Sequence, residues 1–268
     1  MIIEWNAHMF SRDRVRYPFH PQASYMPEET YLSSDPLADY LQHMANTGID
    51  RAVLVHPEPY GDDHRLVLDC LKREPERLRA TCLFFPKDPA APQKLEELVR
   101  QEPGIVALRM HAHRGKEFYL DSFHDQNVRT LWETAGKLDL IIELHIGPNY
   151  AAQAGELIRA YPDYPVIIDH LGEPLMGNAV EYADMLALAQ YKNVYMKLSG
   201  VDYIAKDGPL YISVRHFTRA VVDAFGPEHL VWGGGAPALV DAHLAHLPES
   251  AQGLVKGENL ARLLKFRR

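Results

Sequence analysis

Histidines, acids and cationic residues recur just after a series of short apolar runs. Glu4, Asn6 and His8 follow one run and His56 the next. Arg109, His111, His113 and Arg114 cluster after another. Glu143 and His145, Asp169 and His170, and Lys197 and Ser199 close three more. Neutral imidazoles are nitrogen ligands for zinc, and they exchange protons near neutral pH. A guanidinium holds a carboxylate with two parallel hydrogen bonds. A carboxylate in the same pocket takes a proton from water. Together these groups suit a pocket that holds a small, carboxylated molecule. His8, His145 and His170 come from three separate runs, and three imidazoles make a metal site with one position open to water.

Each residue also has a plainer role. His56 and His113 fit hydrogen-bonded core or rim positions. Arg109 fits a salt bridge inside the fold. Lys197 is either a general base with its pKa lowered by burial or a charge partner for Asp169 or Glu143.

The elements that must position these groups alternate along the whole chain. Strands are expected over 2–8, 51–56, 80–85, 104–110, 138–145, 165–170, 194–198 and 229–234. Helical spacing separates them, as in Leu37, Tyr40, Leu41 and Met44, or Leu157, Ile158 and Tyr161. Strands that each lead into a helix, in this number, predict an α/β fold, a single (β/α)8 TIM barrel spanning 1–268. An open doubly wound sheet normally carries a glycine-rich phosphate turn after its first strand, and Asn6-Ala7-His8-Met9-Phe10 is unlike one. Catalytic groups of such barrels sit at the C-terminal ends of the strands, where the polar residues above fall. Alternation places Glu4, Asn6 and His8 on one face of the first strand, and Glu143 with His145 on one face of the fifth. Residues 11–36 break the pattern with Pro18, Pro21, Pro27 and Pro36, and read as a long proline- and aromatic-rich loop over the barrel mouth.

Composition narrows the partners. The chain has 268 residues, and its 28 basic against 36 acidic side chains give a net charge of −8. That charge disfavours polyphosphate backbones, so no nucleic-acid partner is expected. The apolar runs fall short of the ~20 residues of a spanning helix, so no membrane partner is expected either. Met1 to Trp5 carries no basic region, and Cys70 and Cys82 lie in apolar stretches; both features point to a reducing cytoplasm.

The motifs resemble the amidohydrolase superfamily, and within it the amidohydrolase-2 type that includes sugar lactonases and 2-pyrone-4,6-dicarboxylate lactonase. The likeness rests on Ile3-Glu4-Trp5-Asn6-Ala7-His8, where the family has Asp-x-His-x-His, and on Asp169-His170-Leu171-Gly172-Glu173-Pro174. Val194-Tyr195-Met196-Lys197-Leu198-Ser199-Gly200 and Gly257-Glu258-Asn259-Leu260 extend it. The resemblance implies a hydrolase and one divalent metal, zinc or manganese, on His8, His145 and His170; metal-free action also occurs in the family. Two positions depart from the pattern. Asn6 stands for the first strand-one histidine, and Gly235 for the strand-eight aspartate that serves as ligand and base. An amide oxygen is a weaker zinc ligand than imidazole. Without a base, turnover falls ~10²–10⁴-fold unless another group substitutes.

Glu143, Asp241 and His170 are the expected catalytic groups, with Glu143 or Asp241 standing in for the aspartate. Arg109, His111, Arg114, Asn6 and Lys197 are expected to line the substrate site. The leading expectation is ring opening of a lactone of a small carboxylated molecule. A weakened relative that only binds a ligand or partner, and a non-oxidative decarboxylase on the same fold, are the alternatives. The fold class also admits a homo-oligomer.

Overall fold

Short branched runs that are apolar on both faces favour parallel strands, which helices cover from outside while side chains fill the inside. The computed structural model describes residues 1–112 and 119–265. Eight strands pair in parallel in chain order. They are β1 (Ile3–Ala7), β2 (Arg51–Leu54), β3 (Leu78–Cys82), β4 (Ile105–Ala112), β5 (Ile141–Ile146), β6 (Val166–Ile168), β7 (Val194–Leu198) and β8 (Leu230–Trp232). Helices α1 (Pro36–Thr47), α2 (Arg65–Arg73), α3 (Ala91–Gln101), α4 (Gln126–Lys137), α5 (Ala151–Ala160) and α6 (Ala179–Ala187) follow the first six strands. The short α7 (Val201–Ile204), α8 (Arg215–Phe225) and α9 (Pro237–His243) follow later. The expected (β/α)8 barrel is the fold. Among the described residues no helix is long and apolar enough to cross a membrane.

Local chemistry places the ends of the elements. Asp35 caps α1 by accepting from the Ala38 N–H at 3.0 Å, Pro36 opens the helix, and Gly48 closes it in the left-handed region. Several strands stop short of their expected ends because side chains take over the ladder. The His56 N–H donates to Thr81 Oγ1 at 3.0 Å and ends β2. The Leu83 N–H donates to His64 Nε2 at 3.0 Å and ends β3. β5 begins at Ile141 rather than at residue 138, since Leu138 still closes α4 and Asp139 turns with a positive φ.

Inward residues stack in layers. Ile3, Trp5, Val53, Val55, Ala107, Ile141, Ile167 and Val231 form an apolar plug inside the barrel. The larger core lies between strands and helices. One expected face is corrected here. Trp5 pairs with Val53 but Ala7 with Leu54, a bulge that sets two residues of β1 against one of β2. Ile3 and Trp5 point inward, whereas Glu4 points outward and accepts from the Tyr40 hydroxyl of α1; the bulge beyond Trp5 shifts the alternation, so His8 lines the pocket.

No ladder joins β8 to β1 among the described residues. The two strands are held instead by Glu4 Oε1, which accepts from the Gly234 N–H at 3.0 Å. Gly233 lies so close that a Cβ there would sit 2.0 Å from the Trp5 carbonyl oxygen. Residues 11–36 cross the mouth, pinned by a bridge between Ser11 and Ser33 and by the Arg14 guanidinium 3.4 Å over the Phe19 ring.

His56 is a core residue, as its plainer role predicts. It is fully buried, with Nε2 donating to the Gly61 carbonyl at 2.8 Å. Burial lowers its pKa from 6.5 to about 4. A pKa depressed by folding means stability present above 6.5 and lost as pH falls toward 4. We expect urea unfolding to show a decline of about 1.4 kcal/mol per pH unit from this group alone. His56→Gln keeps a donor for the Gly61 carbonyl, and its decline should be shallower; an unchanged slope would refute the assignment.

Candidate active site

Alternation on β4 to β7 sends Arg109, Glu143, Asp169 and Lys197 into the barrel axis, above the apolar plug. All four are buried. Lys197 Nζ lies 2.5 Å from Glu143 Oε1 and 2.6 Å from Asp169 Oδ1. Arg109 donates to Asp169 Oδ2 from Nη2 at 2.8 Å and from Nε at 3.2 Å, and its Nε stands 3.5 Å from Glu143 Oε2. Trp5 Nε1 donates to Glu143 Oε1 at 2.8 Å.

Burial would push the Asp169 carboxyl up, but Lys197 and Arg109 hold it far below its ordinary range. Glu143 is raised, first by burial and then by the charge of Asp169. Burial opposes the Arg109 charge, yet Asp169 and Glu143 outweigh it and raise that pKa.

One or two residues further along these strands, the network supports a pocket of about 260 Å³. Its wall includes His8, Arg109, His111, His145, His170 and Glu173, with Tyr25, Glu58, Met176 and Tyr203. The His145 and His170 ring centres are 4.7 Å apart, and those of His111 and His145 are 5.3 Å apart. His8 Nδ1 donates to the Val55 carbonyl at 3.1 Å. Burial, aided by Arg109 and Lys197, lowers its pKa to about 3, so His8 is neutral and a weak proton acceptor.

His170 opens a tight turn in which His170, Leu171, Gly172 and Glu173 all have positive φ. Its Nδ1 lies 2.8 Å from Ser199 Oγ. Gly200 permits this approach, because a Cβ there would sit 2.7 Å from the His170 Cβ. The turn brings Glu173 Oε1 to 2.9 Å from His145 Nε2. Burial first, then the Asp169 charge, raises the Glu173 carboxyl to about 8. A carboxyl so poised changes protonation near working pH.

Several sequence expectations are thereby relocated. Arg109, His111, His8, His145 and His170 reach one pocket. Glu143 and Lys197 lie beneath it, fully buried in the charge network, because their neighbours on β4 and β6 are Arg109 and Asp169. Asp241 is on the outer helix α9, paired with Lys256 at 2.6 Å, and does not line the pocket. Asn6 and Gly235 line a second cavity. His113 and Arg114 fall outside the described residues. Glu173 was not among the expected site residues although it stands within the strand-six motif; its left-handed backbone, which brings it to His145, left no mark in the residue types.

The family described as Amidohydrolase (Amidohydro_2) matches residues 3–252. The chain belongs to the amidohydrolase family. It is a hydrolase of that family. A 4-sulfomuconolactone hydrolase from Hydrogenophaga intermedia is 28% identical over 226 residues, covering 83% of this chain and 70% of that protein. The crystal structure of a probable 2-pyrone-4,6-dicarboxylic acid hydrolase from Acinetobacter baumannii, with citric acid bound, superposes with a TM-score of 0.81. It shares 21% identity and covers 99% of each chain. An amidohydrolase from Burkholderia multivorans with bound zinc reaches a TM-score of 0.76 at 16% identity, covering 100% of each chain.

The amidohydrolase fold thus accommodates zinc elsewhere. Here, among the described residues, the metal-ligating groups that approach one another within 4.8 Å are His145, Asp169 and His170, without His8. These donors do not fit a divalent ion. Both Asp169 oxygens already face a cation, Lys197 at 2.6 Å and Arg109 at 2.8 Å, and His145 Nε2 is engaged by Glu173. A divalent charge would enter beside two buried cations.

The network itself is testable. Lys197→Met leaves two buried carboxylates facing one guanidinium, and breaking such a cluster costs about 3–5 kcal/mol. We expect a loss of that size in chemical denaturation. A change below about 1 kcal/mol, the range of exposed pairs, would show that the charges are not sealed from water.

Proposed function

We propose that this amidohydrolase opens the ring of a small anionic lactone, and that it does so without a bound metal. The observation that carries the reading is the Glu173–His145 pair at 2.9 Å on the wall of the pocket that Arg109 also lines. The 4-sulfomuconolactone hydrolase and the 2-pyrone-4,6-dicarboxylic acid hydrolase are named for acidic substrates of this kind, which supports the class. Arg109 Nη1 makes no hydrogen bond among the described residues and, with His111, serves the substrate's anionic group.

Water adds to the lactone carbonyl and passes a proton to the Glu173–His145 pair. The ring C–O bond then breaks, and the ring oxygen takes a proton back to become a hydroxyl. Lactone and water give one hydroxy acid. His8 is too weak a base for the first step, and Gly235 offers no side chain, so Glu173 takes the place of the strand-eight carboxylate.

Two outcomes follow. Glu173→Gln keeps the shape but not the proton acceptor, and kcat on a carboxylated lactone should fall ~10²-fold or more, with KM changed far less. Chelator-treated enzyme should keep its rate within about twofold of the untreated enzyme, since no step runs through a metal. A rate that vanishes with the metal and returns with zinc would overturn the metal-free reading. Binding without turnover would favour the ligand-binding alternative that Gly235 suggests, and carbon dioxide among the products would favour a decarboxylase.

A further inference from the structure

The turn that carries His170 and Glu173 to the pocket runs against its own backbone preference. Its hydrogen bonds begin regularly. The Gly172 N–H donates to the Asp169 carbonyl at 2.9 Å, and the Glu173 N–H to the His170 carbonyl at 3.0 Å. The next bond of this series would run from residue 174 to the Leu171 carbonyl, but residue 174 is proline and has no N–H. Leu171 is fully buried, so its carbonyl must find a partner inside the protein. His170, Leu171 and Glu173 are also non-glycine residues at φ of 53°, 57° and 54°, a conformation that persists only where the surroundings enforce it.

Helix α6 supplies what the turn lacks. Tyr182 Oη donates to the Leu171 carbonyl at 3.0 Å. Three residues on, Met185 packs against Gly172, where a Cβ would sit 2.5 Å from Met185 Cγ. Positions three apart share one helix face, so α6 presses on two successive residues of the turn. The helix is itself fixed at its start. Asn178 Oδ1 accepts from the Val180 and Glu181 N–H groups at 2.9 and 3.1 Å, and Glu181 Oε2 accepts from the Asn178 N–H at 2.9 Å. The Tyr182 ring meets Phe217 of α8 edge to face, with ring centres 5.9 Å apart. Burial raises the Tyr182 pKa, so the phenol stays a donor at neutral pH.

We propose that Tyr182 is a positioning residue for the hydrolysis: by binding the Leu171 carbonyl it holds the left-handed turn that brings Glu173 to His145. This rests on the reading that Glu173 takes the proton from water. Tyr182 does not line the pocket and acts through the backbone alone. Among the described residues nothing else donates to the Leu171 carbonyl. Loss of the hydroxyl leaves a buried acceptor unpaired, and the turn relieves that cost by rotating toward the right-handed region. Glu173, two residues further on, then swings away from His145.

The test compares Tyr182→Phe, which removes only the hydroxyl, with Phe217→Leu, which loosens the packing behind the ring and leaves the hydroxyl in place. Rates are measured on a carboxylated lactone, and thermal melts record stability. A crystal structure of Tyr182→Phe records the Glu173–His145 separation. Tyr182→Phe should lower kcat about tenfold with KM within twofold, because a displaced proton acceptor weakens the reacting geometry and not the grip on the substrate. Phe217→Leu should lower the melting temperature at least as much, yet keep kcat within twofold. In the crystal of Tyr182→Phe, Glu173 should stand beyond hydrogen-bond reach of His145.

A kcat that Tyr182→Phe leaves within twofold, or one that falls in step with the melting temperature in both variants, overturns the positioning role. So does a Glu173–His145 contact that stays at 2.9 Å without the hydroxyl. The two readings fail separately. Full activity in Glu173→Gln sinks Glu173 as the proton acceptor, while a displaced Glu173 in the Tyr182→Phe crystal still establishes what holds the turn. A rate lost in Glu173→Gln but kept in Tyr182→Phe sinks the positioning role alone.

Discussion

Two cations and two carboxylates sealed across the axis of the barrel set the terms for everything above them. Arg109, Glu143, Asp169 and Lys197 come from four neighbouring strands, and each touches at least two of the others. Such charges are tolerable out of water only when their geometry is good and every partner is present. The cluster therefore ties the upper ends of β4 to β7 into one rigid platform. His145, His170 and Ser199 stand one or two residues further along the same strands and inherit that rigidity. The platform also disposes of the carboxylate that a metal would need. Asp169 is the acid grouped with both His145 and His170, and it is already shared between a guanidinium and an ammonium.

On the proposed reading, proton transfer moves within the pocket. The family pattern supplies its acid from the end of strand eight, where this chain has Gly235. The carboxyl here comes from the turn after β6, which is held in left-handed backbone by contacts on both sides. Non-glycine residues in that conformation carry strain of order 1–3 kcal/mol each, and such strain gathers at functional sites. Ser199 braces the His170 end of the turn, and His145 meets the Glu173 end.

Most of the architecture was legible in the residues. Period-two and helical spacing gave the strands and helices their order, and β7 matched its expected limits at Val194 and Leu198. The inward face of β5, with Glu143 and His145, followed from alternation, and Lys197 is the charge partner of Glu143 and Asp169 that its plainer reading described. Alternation failed on β1, where a bulge between Trp5 and Ala7 interrupts the period, so that Glu4 meets Tyr40 on the outer face while His8 lines the pocket. Nothing in the run Glu4-Trp5-Asn6-Ala7-His8 signals an extra residue, because the bulge answers to strand pairing across the sheet. Asp241 looked near the site through its closeness to Pro237 in the chain, but α9 carries it to the outer surface beside Lys256. Glu143 has the right chemistry at the wrong depth, and depth depends on the stagger of the strands. Glu173 was hidden because a backbone turn carries it to the pocket wall.

The ring itself is unevenly fastened. Seven of its seams are zipped by backbone ladders, from β1–β2 round to β7–β8. The eighth is a clasp made of one buried glutamate and one close-packed glycine, Glu4 and Gly233. A second glycine, Gly257, lies so near the start of the first strand that a Cβ would come within 2.4 Å of the Met1 carbonyl oxygen, so a late segment of the chain packs closely against that strand. Breathing of the cylinder should therefore begin at this edge, and the neighbouring recess would widen first while the charged platform on the far side kept its shape.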